Sequence, residues 1–286
     1  MTFTHLTAAS LPWDAVPSPD GTMIYYTATS DQGQPAVFSI PTAGGNPVEL
    51  AQGEPFVNPL GIAISTDGET LYIADPWSAG SNGNFIYALS TSIGEIPALI
   101  NGTQGTTPQG LTVASRDGVD QLYFTGIDPA TGQPAVYQIA AGGGQASTII
   151  SGTPLIAPSG IEVAKDGTIY VLDRLASRNG LGSVIRISSG TVEKIADNIR
   201  TGAQLAGLSL TLDESLLLVS SLDSVQETAQ VLVIDLATLN TSIINDVIGQ
   251  NTAAGGLHRA YLTNQYAWAD SSLGKKGGVY GVILNP

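Results

Sequence analysis

Two positions carry ionisable side chains where the matching stretches of the chain do not. Glu162 in "GIEVA" and His258 in "GLHRA" each stand two residues after a glycine, where comparable segments hold Ala63, Thr112 and Ser209. A carboxylate and an imidazole so placed can serve as general acid and base, or as metal ligands. Arg259 follows directly and could pair with Glu162 or with an aspartate elsewhere. The alternative is a buried, satisfied pair or the lining of a water-filled channel. A second set is Asp75, Asp173 and Asp270, each closing a short apolar run, with Asp223 near the same place in its own segment. Gathered around one rim, four carboxylates could hold a cation or a polyamine. Otherwise each caps its own loop by accepting from backbone N–H groups, as Asx turns do.

Other chemistries are restricted by what the chain lacks. With no cysteine and only two histidines, His5 and His258, it has neither disulfides nor a dedicated His/Cys zinc site. No G-x-S-x-G elbow, Walker loop, Rossmann glycine pattern or EF-hand loop is present; "GKKGG" at 274–278 lacks the hydroxyl residue and the upstream glycine. Acids outnumber bases 24 to 10, a formal charge of −14. So few scattered Lys and Arg residues cannot displace counterions from a nucleic acid, and an anionic membrane would repel the chain. No run is long and apolar enough to span a bilayer, and "MTFTHLTAAS" has neither the basic nor the apolar region of a signal peptide. The surplus of small polar residues over Lys favours a mature extracytoplasmic domain, periplasmic or secreted, with the cytosol as the other reading.

The elements that position these residues repeat. Asp20-Gly21, Asp67-Gly68, Asp117-Gly118 and Asp166-Gly167 are turn pairs, with degenerate copies at Asp213-Glu214 and Asn264-Gln265. The intervals are 47, 50, 49, 47 and 51 residues. Within the second copy, Gly61 to Ser65 alternates as a strand, Asp-Gly turns it, and Leu71–Ala74, Phe85–Leu89 and Ala98–Ile100 follow as further strands. Segments 33–50 and 132–149 match even in the outer half. Four antiparallel strands per unit of about fifty residues predict an all-β, six-bladed propeller forming a single domain over residues 1–286. The last copy ends at its third strand. Thr2–Thr7 is therefore expected to pair around Val279–Leu284 and close the ring.

"NPLGIAISTDGETLYIADP" and "APSGIEVAKDGTIYVLDR" carry a Pro-x-Gly, then Asp-Gly-x-x-Tyr-x-x-Asp pattern. In this the chain resembles the six-bladed propellers of the NHL and SMP-30/gluconolactonase group. The resemblance implies the fold and, in the SMP-30 branch, a metal-dependent lactonase holding a divalent cation, commonly calcium, at the channel mouth. The ligands it implies are a Glu opening the first inner strand and Asn or Asp before later glycines. Here those positions are Leu60, Gln109, Ser159, Ala206 and Gly255, and the first strand offers only a displaced Asp14.

Two readings follow. One is a non-catalytic propeller, a monomer, taking a small molecule or protein on the rim loops. Its candidate ligand-binding residues are Trp13, Asp75, Trp77, Gln109, Ser159, Asp173, Arg174, Arg259 and Asp270. The loops at 75–84 and 173–182 are the longest on that rim and suit such a role. The other is a divergent hydrolase with a rearranged site, using Glu162 and His258 catalytically and Asp14, Glu162 and Asp173 on calcium.

Overall fold

The computed structural model describes residues 1–77, 85–202, 205–223, 225–245, 247–248, 254–271 and 276–284. The rest of the 75–84 loop, and Gly274 and Lys275 of the glycine-lysine stretch, lie outside the described residues. The chain is all-β. Its first strands are β1 (Thr2–Pro17), β2 (Met23–Thr29), β3 (Pro35–Pro41) and β4 (Val48–Gln52). Four blades of four strands follow. The first is β5 (Ile62–Ile64), β6 (Thr70–Asp75), β7 (Phe85–Ser90) and β8 (Ala98–Leu99). The second is β9 (Leu111–Arg116), β10 (Val119–Ile127), β11 (Pro134–Ala140) and β12 (Ser147–Ser151). The third is β13 (Pro158–Val163), β14 (Ile169–Asp173), β15 (Gly182–Ser188) and β16 (Thr191–Ile199). The fourth is β17 (Leu208–Leu210), β18 (Leu216–Leu222), β19 (Ala229–Asp235) and β20 (Thr241–Ile244). Three strands end the chain: β21 (Ala254–Arg259), β22 (Gln265–Asp270) and β23 (Gly277–Ile283).

The expectation of six blades with four strands each is corrected here. The structure has four such blades plus one curled sheet of seven strands, in the order β21-β22-β23-β1-β2-β3-β4. The cause is β1. Its first half pairs antiparallel with β23, Thr2 opposite Ile283 and Ala9 opposite Gly277. Its second half pairs with β2, Ser10 opposite Thr29 and Pro17 opposite Ile24. The strand bends between the two ladders without ending: Leu11 takes a positive φ of 48°, and the β2 register shifts between Ser10 and Asp14. A bulge of this kind redirects a strand while keeping it in the sheet.

The turns hold for a local reason. Ser18, Ser65 and Thr211 donate their hydroxyls to Asp20, Asp67 and Asp213. The same carboxylates accept from the backbone N–H of Thr22, Glu69 and Ser215. These bonds push all three carboxyls below the usual range, Asp213 to about 2. In the fifth copy Glu214 adopts φ 58° where the first four copies have Gly21, Gly68, Gly118 and Gly167. Between sheets the core is aliphatic and aromatic, with Trp268, Tyr26, Tyr123, Tyr266 and Phe124 the largest fully buried side chains.

Candidate functional site

The inner strands β5, β9, β13, β17 and β21 and the second half of β1 surround the axis. The chain enters them at one face and turns out of them at the other. On the entry face Asp75 and Asp173 are fully buried. Asp75 accepts from the backbone N–H of Val57 at 2.7 Å, Asn58 at 3.2 Å and Trp77 at 3.1 Å. Asp173 repeats this with Ile156 at 2.7 Å, Ala157 at 3.0 Å and Leu175 at 3.0 Å. Asp223 accepts from Val225 and Gln226 at 2.8 and 2.6 Å. Asp270 is buried opposite Gly278. Trp13, Gln109 and Arg174 are half-buried, while the Ser159 hydroxyl is buried between the N–H and carbonyl of Ala206. The aspartates order loops. Those loops display apolar side chains among polar ones: Val57, Ile156 and Leu175 are exposed, with Trp77 at 54% and Val225 at 85%, beside exposed Glu54, Arg178, Gln226 and Glu227.

Below this rim the inner strands crowd together. A Cβ on Gly61 would overlap the carbonyl of Gln109, one on Gly110 that of Ser159, and one on Gly160 that of Ala206. Only glycine lets neighbouring inner strands approach so closely. The gap left at this level measures about 10 Å³, lined by Asp14, Gly110, Gly160, Gly207, Gly256 and His258. That is at most one water.

Asp14 is the residue this pinch is built around. It lies six positions before its turn aspartate, where Gly61, Gly160 and Gly207 stand in their repeats. Its buried carboxylate accepts from Ala15 N–H at 2.9 Å and Ile62 N–H at 3.0 Å, and His258 Nε2 lies 3.1 Å from each of its oxygens. Three inner strands are thus tied by one side chain. Burial alone pushes the His258 imidazole down, but the charge and hydrogen bond of Asp14 and the charge of Glu162 outweigh it, so its pKa is raised. Glu162 accepts from the Ser209 hydroxyl at 3.0 Å and from Val163 N–H at 3.1 Å. Arg259 pairs with neither Glu162 nor a rim aspartate. Its Nε donates to the Leu210 carbonyl at 2.9 Å.

Asp14, Glu162 and His258 therefore share one channel, whereas Asp173 lies on the far side of the pinch. Among the described residues no three His, Asp or Glu side chains are grouped so as to hold a metal ion. A hard cation needs several converging oxygens. Here the Asp14 carboxylate is engaged by two N–H groups and an imidazole, the Ser159 hydroxyl by Ala206, and Leu60, Ala206 and Gly255 offer no side-chain oxygen. These residues do not fit the calcium site of the SMP-30 type. Calcium titrated into chelator-stripped protein is expected to leave its melting temperature unchanged. A saturable rise, which any ligand of the folded state must cause, would reverse that conclusion.

On the turn face the strands splay into a cavity of about 370 Å³. Ile64, Val113, Val163 and Leu262 form apolar wall, Glu162, His258 and Thr112 the depth, and Arg116, Lys165, Glu214 and Arg259 also line it. Arg116, Lys165 and Glu214 escaped sequence reasoning. The signal was there: Arg116 and Lys165 occupy the place just before the turn aspartate in adjacent repeats, and they are two of only ten basic residues.

Fold and site together define a β-propeller with a closed axis. No family model matches the sequence, nor does any curated protein. Solved structures do. A gluconolactonase from Xanthomonas campestris is 17% identical, with a TM-score of 0.67 over 99% of this chain and 89% of its own. A chain of the nidogen–laminin complex is 15% identical, TM-score 0.67, over 87% and 85%. A TolB protein from Agrobacterium tumefaciens is 19% identical, TM-score 0.64, over 97% and 91%. At such identities the likeness is one of fold, which hosts many functions.

Proposed function

We propose that this chain is a non-catalytic, extracytoplasmic binding propeller that docks a protein partner on its entry face. The observation that carries the reading is the coupling of loop-ordering aspartates, two of them fully buried, to exposed apolar side chains. Asp75, Asp173 and Asp223 fix their loops through backbone N–H groups and leave Val57, Trp77, Ile156, Leu175 and Val225 at the surface. Aromatic and aliphatic anchors held in advance lose little entropy on docking. The pinch beneath leaves no room on that side for a small molecule to enter the axis. A formal charge of −14 favours a partner with a basic surface. No helix among the described residues is long and apolar enough to cross a membrane. The extracytoplasmic assignment is supported by the surplus of small polar residues over Lys.

The test is a photocrosslinking residue placed at position 77, 156 or 225 and, as control, at the outer-edge position Ile243. In the native host, the first three are expected to capture the same partner, and Trp77→Asp introduced beside position 156 or 225 to abolish that capture. Equal capture from position 243 would defeat the reading. The hydrolase reading keeps one observation, the gathering of Asp14, Glu162 and His258 in one channel. Lactone turnover that is lost in His258→Gln would establish it instead.

A further inference from the structure

The turn-face cavity stands apart from the docking face, because the glycine pinch separates them. Its volume suits a small organic molecule rather than a polypeptide. The charge around it departs from the rest of the chain. Arg116, Lys165 and Arg259 line it, three of ten basic residues in a protein with 24 acids, beside Glu162 and Glu214. Among the described residues, neither Arg116 nor Arg259 has a carboxylate within ion-pairing distance, and Lys165 has only Glu214, at 3.9 Å. Arg259 donates through Nε and Nη1 to the carbonyls of Leu210, Ala260, Tyr261 and Thr263. Arg116 Nε donates to the Tyr123 hydroxyl at 2.9 Å, and Lys165 Nζ to the Leu212 carbonyl at 3.0 Å. These bonds hold the cations in place without neutralising them.

We infer that this cavity binds a small organic anion with an apolar body, its acid group held by Arg116, Lys165 and Arg259. The body lies against Ile64, Val113 and Leu262. Deeper in, Glu162 accepts hydrogen bonds from Ser209 and Val163 and retains lone pairs that face a ligand donor, a hydroxyl or an amine. The site therefore selects for an acid at one end and a donor at the other. Lys165 stands 71% exposed at the mouth, where it can meet an incoming anion. Elsewhere the acidic surface repels such a ligand, so recognition is local to this mouth.

The probes are anilinonaphthalene sulfonate and its uncharged parent phenylnaphthylamine, which share the apolar body and the N–H and differ in the acid. Fluorescence titration of the full chain is expected to give one site per chain for the sulfonate, with binding weakened by salt. Arg116→Gln and Lys165→Gln are each expected to weaken it roughly tenfold, the loss of one charge-assisted hydrogen bond. The uncharged parent is expected to be insensitive to both. Arg178→Gln, away from the cavity, and Val225→Ser, on the docking face, should change nothing. Lys165 is a surface side chain whose replacement preserves the fold, so it decides the matter even if the Arg116 variant is unstable. Equal affinity for both probes, indifference to Lys165→Gln, or loss of the sulfonate site in Val225→Ser would each overturn the assignment.

Discussion

Removal of residues 1–9 lowers the melting temperature by about 10 °C or more, or converts the protein to a larger associating species. Those residues form the ladder from Thr2–Ile283 to Ala9–Gly277. Phe3 packs edge-on against the fully buried Trp268 at 5.7 Å, and Leu6 and Ala9 join the cluster around Ile24 and Val279. Exposing two large apolar contacts costs roughly 1.5–3 kcal/mol each. With the backbone ladder lost as well, about 5 kcal/mol is at stake, and for a chain of this size each kcal/mol moves the midpoint by roughly 2–4 °C. The bared β23 edge is also a template for pairing with another chain. Differential scanning calorimetry and sedimentation read both effects. An unchanged midpoint with unchanged mass would mean that the seven-stranded sheet does not depend on the first half of β1.

Replacing Asp14 by Asn is expected to cost about 3–5 kcal/mol, the range for removing one partner of a buried ion pair. It leaves the imidazole of His258 and the N–H of Ile62 competing for a single carbonyl oxygen. Asp14→Gly restores the residue type of the other repeats yet is expected to be no better, because both groups then lose their acceptor. Combined with His258→Ser, matching Ser209, it is expected to be milder than the sum of the single changes, a coupling that a double-mutant cycle measures. The pH dependence carries the same signature. The folded pKa of His258 lies above its ordinary 6.5. Its contribution is therefore fully present below pH 6.5 and is lost as pH rises through the folded value. Wild-type stability from denaturant melts should fall across that alkaline-going window, and Asp14→Asn should flatten the fall. A slope that survives the substitution would show that another group sets it.

The sequence carried the repeat, its Asp-Gly turns and the glycines that open the inner strands, because turn chemistry is written locally. The pairing of Thr2–Thr7 with the last strand was legible as well, but not that the same strand runs on unbroken into the β2 ladder. Nothing between Ala9 and Asp14 marks a break or its absence; the bend at Leu11 depends on two ladders acting on one strand. The glycines were legible as turn and strand punctuation, but their crowding against the next strand is a property of the closed arrangement. That crowding decides which acids share a compartment. Asp75 and Asp173 therefore read alongside Glu162 along the chain, yet they stand beyond the pinch and are committed to backbone N–H groups. Arg116 and Lys165 fell on turns that looked merely structural, because their convergence comes from neighbouring blades.

The closed axis also makes the molecule a septum rather than a conduit. Among the described residues, the gap at the glycine level is about 10 Å³, room for one water at most. Asp14 with its partner His258 is the polar element set into this narrow level. Loops on one side can vary in length without altering the side chains that line the other. One rigid body thereby offers two independently adjustable surfaces.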